Sequence, residues 1–163
     1  MCVAGGGNSA LQEAILLAGK CAKVIMLQDL PEFTGEKKLQ DILFSRLNVD
    51  KRTGVKITAL NTEAGALRSV TVVPQAGGAE EQVACDGLFV AIGLIPENGA
   101  FAELADLNRW GYFDSDEKCE TKTPGIYVAG DCRSKTVRQL TTAAGDGAVA
   151  ALAACRYIDA MNV

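Results

Sequence analysis

The feature that most restricts what this chain can become is a glycine-rich turn, Gly5-Gly6-Gly7-Asn8-Ser9-Ala10. It lies between the apolar run Met1–Ala4 and a stripe of apolar residues at helical spacing: Leu11, Ala14, Ile15 and Ala18. A strand that stops at G-x-G-x-x-A and passes straight into a helix is the opening of a βαβ unit. Gly5 permits the tight turn, Gly7 lets the backbone approach a pyrophosphate, and Ala10 keeps the helix close to the sheet. Asn8 and Ser9 fall in the first helical turn, where free N–H groups and a partial positive charge attract an anion. A bare strand-to-helix turn can carry the same letters, so the strand, helix and strand around the motif are what favour a nucleotide here.

The following segments extend that frame. Gly19 stands where a helix C-cap belongs, and Lys23–Gln28 reads as a buried strand. Residues 29–35 read as a loop, and Leu39, Ile42, Leu43 and Leu47 mark a second amphipathic helix. From Val55 the period changes to short strands at 55–60, 67–74 and 81–85, separated by turn-rich NTEAG and AGGAE, which reads as an antiparallel meander. LFVAI (88–92) is a further apolar strand, and Asp86-Gly87 is the expected boundary between domains 1–86 and 87–163. Beyond it, the sequence predicts a short helix around Phe101–Ala105, a strand at GIYVAGD (125–131) and a small-residue helix from about Val137 to Met161.

The end of the second strand is where an adenosine ribose would be read, and it carries Asp29, 24 residues after Gly5. A carboxylate there accepts hydrogen bonds from ribose hydroxyls and repels a 2′-phosphate. Two like charges about 4 Å apart cost roughly 1 kcal/mol in bulk water and roughly 4 kcal/mol at an intermediate dielectric. That is roughly a tenfold to thousandfold loss of affinity. No arginine lies between Gly5 and Arg46 to offset it, and Glu32 and Glu36 make the loop more acidic. NADH is therefore expected over NADPH, with a solvated loop carboxylate as the alternative reading of Asp29.

Composition excludes several classes. A net charge of −4 with no basic run argues against a nucleic-acid partner. No apolar stretch reaches the roughly 18 residues of a membrane span, and the N-terminus lacks the pattern of a signal peptide, so a cytoplasmic location is expected. There is no histidine, and the six cysteines (Cys2, Cys21, Cys85, Cys119, Cys132, Cys155) contain no C-x-x-C. Neither a zinc site nor a disulfide-exchange site is expected from such spacing, and scattered thiols read as small buried hydrophobes.

Three blocks together resemble the low-molecular-weight, bacterial-type thioredoxin reductases: GGGNSALQEAILLA (5–18), GLFVAIGLIPEN (87–98) and TPGIYVAGDCRSKTVRQLTTAAGDGAVAALAACRYI (123–158). The first resembles that family's pyridine-nucleotide motif, the second its return to the flavin domain, and the third its C-terminal flavin-binding segment. The resemblance implies an α/β, Rossmann-like FAD/NAD(P)-binding fold, with a pyridine-nucleotide domain carrying an antiparallel meander and the C-terminal part of an FAD domain. It implies that the Gly130-Asp131 pair hydrogen-bonds the ribityl and pyrophosphate region of FAD, and that Arg138, Gln139 and Leu140 lie against the isoalloxazine. A helix N-terminus is suited to that place, because it stabilises the anionic edge of a reduced flavin. It further implies a thioredoxin-like partner and a homodimer.

The sequence departs from the family's pattern in three places. The flavin domain's own G-x-G-x-x-G is not in this sequence, and neither is the C-x-x-C that precedes the nucleotide motif. Where the family places a His-Arg-Arg motif and a further Arg, this chain has Gln28, Asp29, Leu30 and Thr34. Two functions follow as expectations. One is part of a flavin-dependent disulfide reductase, fed by NADH or another donor and inactive as an isolated chain. The other is a free-standing nucleotide-binding module without redox chemistry.

Overall fold

Two short runs without a polar residue, β1 (Cys2–Ala4) and β2 (Val24–Leu27), are buried along their whole length in the computed structural model, which describes residues 1–161. They pair in parallel, with Cys2 opposite Ile25 and Ala4 opposite Leu27. Continuous apolar composition is what a strand covered on both faces requires. β3 (Val49–Arg52) pairs in parallel outside β2, and β7 (Leu88–Val90) pairs in parallel with β1, giving the order β3-β2-β1-β7. β3 has no counterpart in the sequence reading, because VDKR carries three charged residues at a half-exposed edge.

Side-chain alternation along these strands divides the core in two. Val3, Val24 and Met26 meet α1 (Asn8–Ala18) and α2 (Lys37–Phe44) through Ala10, Leu11, Ala14 and Leu43. Leu11 has no exposure at all, and burial of that kind contributes about 2 kcal/mol. On the opposite face, Cys2, Ile25 and Leu27 meet Val70, Val72, Val83 and Cys85 of an antiparallel ribbon. That ribbon is β4 (Val55–Glu63), β5 (Ala66–Pro74) and β6 (Glu81–Ala84), the meander expected from the sequence. The carbonyls at the end of α1 are held by the Asn48 side chain, which donates to Ala18 O at 2.9 Å and Cys21 O at 3.0 Å. Gly19 is the C-cap, in a right-handed conformation. α2 ends at Phe44, before Leu47, which is fully exposed rather than part of the helical stripe.

The chain divides into compact units at Gly93–Leu94, seven residues beyond the expected Asp86-Gly87 boundary. β7 explains the difference, since its ladder to β1 holds Leu88–Val90 to the first unit. The second unit has little regular structure ahead of α3 (Leu140–Met161), which begins three residues after the expected Val137. Instead of a helix over Phe101–Ala105, a 3₁₀ turn spans Gly99–Phe101. GIYVAGD forms no ladder among the described residues. It makes one isolated bridge, Tyr127 to Glu120, and closes in a 3₁₀ turn at Gly130–Cys132. The unit's small apolar cluster is Ala105, Phe113 and Val128. No described helix is long and apolar enough to cross a membrane.

Candidate functional site

The turn between β1 and α1 is built by close approaches that only glycine allows. Gly5 has φ +123°, and a Cβ there would overlap the carbonyl oxygen of Ala91. A Cβ on Gly6 would collide with the side chain of Gln28, which is buried at the end of β2. Gly7 is different. Only Thr34 Oγ1, at 4.0 Å, lies near its Cβ position, and Asn8 and Ser9 beyond it are exposed. Ala10 is fully buried against the sheet. The result is an eleven-residue helix whose first turn is open to solvent beside a backbone stripped of side chains, a geometry suited to a pyrophosphate.

The loop after β2 is strapped to this turn. The amides of Thr34 and Gly35 both donate to Gly6 O, at 2.9 and 2.8 Å. Asn8 Nδ2 donates to Glu36 Oε1 at 2.9 Å, while Glu36 N donates to Asn8 Oδ1 at 2.7 Å. The Asn8 side chain therefore works as a tether rather than a free ligand donor. Asp29 is exposed, with Oδ1 accepting from Leu30 N at 2.9 Å. It lines a cavity of about 430 Å³ together with Gly5, Lys56 and Val90.

Two cations near Asp29 escaped the sequence argument. Lys56 shares its cavity, and Arg52 ends the neighbouring strand in register with Leu27. The Arg52 guanidinium is engaged by Glu81 Oε2 at 2.6 Å. Had β3 been recognised in the sequence, the parallel register would have brought Arg52 to this sheet edge.

In the second unit Asp131 is exposed beside Gly130, which has φ +84°. Arg138 Nε donates to Asp131 O at 3.3 Å, and its guanidinium stacks 3.9 Å from the centre of the Tyr112 ring. Arg138, Tyr112 and Trp110 line an open cleft of about 660 Å³. Gln139 N donates to Thr142 Oγ1 at 3.1 Å, and Leu140 opens α3 with 91% of its surface exposed. The first turn of α3 is thus uncovered, next to Asp131 and Arg138.

The best-organised polar group of this unit is one the sequence reading passed over. Asp146 accepts from Lys135 Nζ at 2.6 Å, from Arg133 NH1 at 3.0 Å and from Gly130 N at 3.0 Å. The Lys135 hydrogen bond, helped by Gly130 N and the Arg133 charge, holds this carboxyl below its ordinary range despite burial. Arg133 NH1 also reaches Cys119 Sγ at 3.3 Å, and burial pushes that thiol up. The available signal was charge spacing: Asp146 is the single charge between Leu140 and Cys155, with Arg133 and Lys135 shortly before it.

The family model described as pyridine nucleotide-disulphide oxidoreductase matches residues 1–147. The chain is 33% identical over 160 residues to a thioredoxin reductase of Bacillus subtilis, covering 98% of this chain and 51% of that protein. It is 37% identical over 156 residues to a 34.2 kDa protein of the Clostridium pasteurianum rubredoxin operon, covering 96% of this chain and 50% of the relative. The crystal structure of Lactococcus lactis thioredoxin reductase superposes with a TM-score of 0.84 at 28% identity, over 96% of this chain and 52% of that one. The chain therefore spans about half the length of the curated relatives it matches. With the glycine cradle, the parallel sheet and the matched segment in agreement, the chain belongs to the pyridine nucleotide-disulphide oxidoreductase family.

Proposed function

We propose that residues 1–86 bind a pyridine nucleotide and that residues 87–163 supply the C-terminal part of an FAD site, within a flavin-dependent reductase of thioredoxin-like disulfides. The observation that carries this is the open first turn of α1 beside Gly7, next to a cavity that reaches Asp29. In this reading the backbone around Gly5, Gly7, Ser9 and Ala10 holds the pyrophosphate, and Asn8 fixes the loop that carries Asp29. Asp29 accepts hydrogen bonds from the adenosine ribose and disfavours a 2′-phosphate, so NADH is preferred. Support comes from the exposed Asp29 carboxylate and from Arg52, whose charge is already paired with Glu81.

The second unit fits its role through exposure. Asp131 is open to accept hydrogen bonds from ribityl hydroxyls, while Arg138, Gln139 and Leu140 bring an uncovered helix N-terminus to the ring. Bound FAD would supply the two-electron step between nicotinamide and disulfide. Lacking a C-x-x-C, this chain alone reduces no thioredoxin; the complete enzyme acts on a thioredoxin-like protein as a homodimer.

Titration calorimetry of the chain with NADH and NADPH tests the nucleotide reading. The expected result is NADH binding roughly tenfold to thousandfold tighter than NADPH, with the ratio reversed in Asp29→Arg. Equal affinity for both cofactors, unchanged by Asp29→Arg, would overturn the assignment of Asp29.

A further inference from the structure

The six cysteines look scattered along the chain, yet the fold brings two of them together. Cys2 in β1 and Cys85 just past β6 belong to one buried cluster with Ile25, Leu27, Val70 and Val83. Their backbones are tied on both sides. Cys85 N donates to Arg68 O at 2.9 Å, and Cys2 N donates at 2.9 Å to Gly87 O, two residues beyond Cys85. Leu88 is then the parallel partner of Cys2. The Cys2 thiol lies within hydrogen-bonding reach of the Cys85 thiol.

The other thiols have different surroundings. Cys119 faces Arg133 and Asp146, Cys132 donates to Ala129 O, and Cys155 is exposed.

We propose that Cys2 and Cys85 form a latent dithiol, a modification site that a small-molecule disulfide such as oxidised glutathione converts to an intramolecular disulfide bond. The two thiols are not equivalent. Burial first, and the adjoining Cys85 second, push the Cys2 thiol up from its ordinary 9.0 to about 12. Cys2 therefore does not start the exchange. Cys85, with 6% of its surface exposed against none for Cys2, is the sulfur that the reagent reaches.

Cys85, having lost its proton to solvent, attacks one sulfur of the reagent. A Cys85–glutathione mixed disulfide forms and one glutathione thiolate departs. Cys2 then attacks the Cys85 sulfur, its proton passing to the second departing glutathione. Two protein thiols are oxidised, and one reagent disulfide is reduced to two thiols. The bond formed joins β1 of the parallel sheet to the end of the antiparallel ribbon.

The test uses the whole chain in buffers of increasing oxidised-to-reduced glutathione ratio, quenched with acid, alkylated after denaturation and mapped by peptide mass spectrometry. The expected result is a cross-linked Cys2–Cys85 peptide lighter by two hydrogens, with two of the six thiols lost to alkylation. Cys155 should take up glutathione without forming an internal partner. In Cys85→Ser, Cys2 should remain alkylatable at every ratio. The proposal fails if Cys2 and Cys85 stay separately alkylatable where Cys155 is already modified, or if the recovered cross-link joins either of them to another cysteine. Both failures are read on the unmodified sequence, so they stand whether or not the variant folds.

Discussion

The unit ending at Gly93 and the unit beginning at Leu94 are held by different forces. In the first, a four-stranded parallel sheet is covered on one face by two helices and on the other by a ribbon, and almost every inward side chain is apolar. In the second, the apolar cluster is three residues, and loops are fixed by polar ties. Asn98 Nδ2 donates to Gly111 O at 2.9 Å and Cys132 O at 3.0 Å, while Asp146 gathers Arg133, Lys135 and Gly130 N. Hydrophobic burial is additive and forgiving, whereas a partly buried charge cluster is destabilised sharply by the loss of one member. The contrast teaches where each unit is fragile: the first at a backbone contact, the second at a single carboxylate.

The largest expected effect lies in the second unit. Asp146→Ala leaves Arg133 and Lys135, whose side chains are 12% and 13% exposed, without their counter-charge. Stability of that unit should fall by about 3–4 kcal/mol, read as lost hydrogen-exchange protection in α3. The same carboxyl gives the unit an acid lability. Its folded pKa is depressed, so its contribution is complete above the ordinary carboxylate value and disappears as pH falls through the folded one. An Asp146→Ala chain whose α3 protection matches the parent would end the idea that charge holds this unit.

A smaller effect is expected in the first unit. Gly5→Ala combines a positive φ with overlap on the Ala91 carbonyl, and should destabilise by about 2–3 kcal/mol in denaturant unfolding. Loss of β1–β7 protection should accompany it, because Ala91 N donates to Ala4 O at 2.8 Å beside the contact. The smallest effect belongs to the tether. Asn8→Ala removes two exposed hydrogen bonds to Glu36 and should lower stability by about 1 kcal/mol, measured by thermal unfolding. If Asn8→Ala proved costlier than Gly5→Ala, the ranking of backbone over side chain in this unit would be reversed.

The two units also differed in how far they could be read from sequence. Runs such as CVA and VIML announce buried strands, and Leu11 with Ala14 and Ala18 announces a helix, because each pattern is satisfied by neighbours close in sequence. β3 was hidden, since its charged letters are those of a surface loop and only its place beside β2 makes it a strand. GIYVAGD carries the letters of a strand, yet the described residues provide it with a single bridge. Asp146 was hidden for a related reason: a charge among alanines and glycines resembles a solvated helix face until Arg133 and Lys135 are folded against it. The Gly5–Ala10 cradle was legible because its chemistry is local, whereas the Cys2–Cys85 neighbourhood depends on a sheet and a ribbon meeting across most of the unit.

The double hydrogen bond from Thr34 and Gly35 to Gly6 has a practical consequence for cofactor choice. The segment that meets the ribose and the segment that meets the pyrophosphate share one carbonyl, so they move as one piece. Exchanging single side chains at positions 29–34 alters charge but leaves that shared fulcrum in place. Changing the length of the loop shifts the cradle itself. Donor preference in this fold is thus inherited as a cassette, with Gly6 at its hinge and residues 29–36 as its interchangeable leaf.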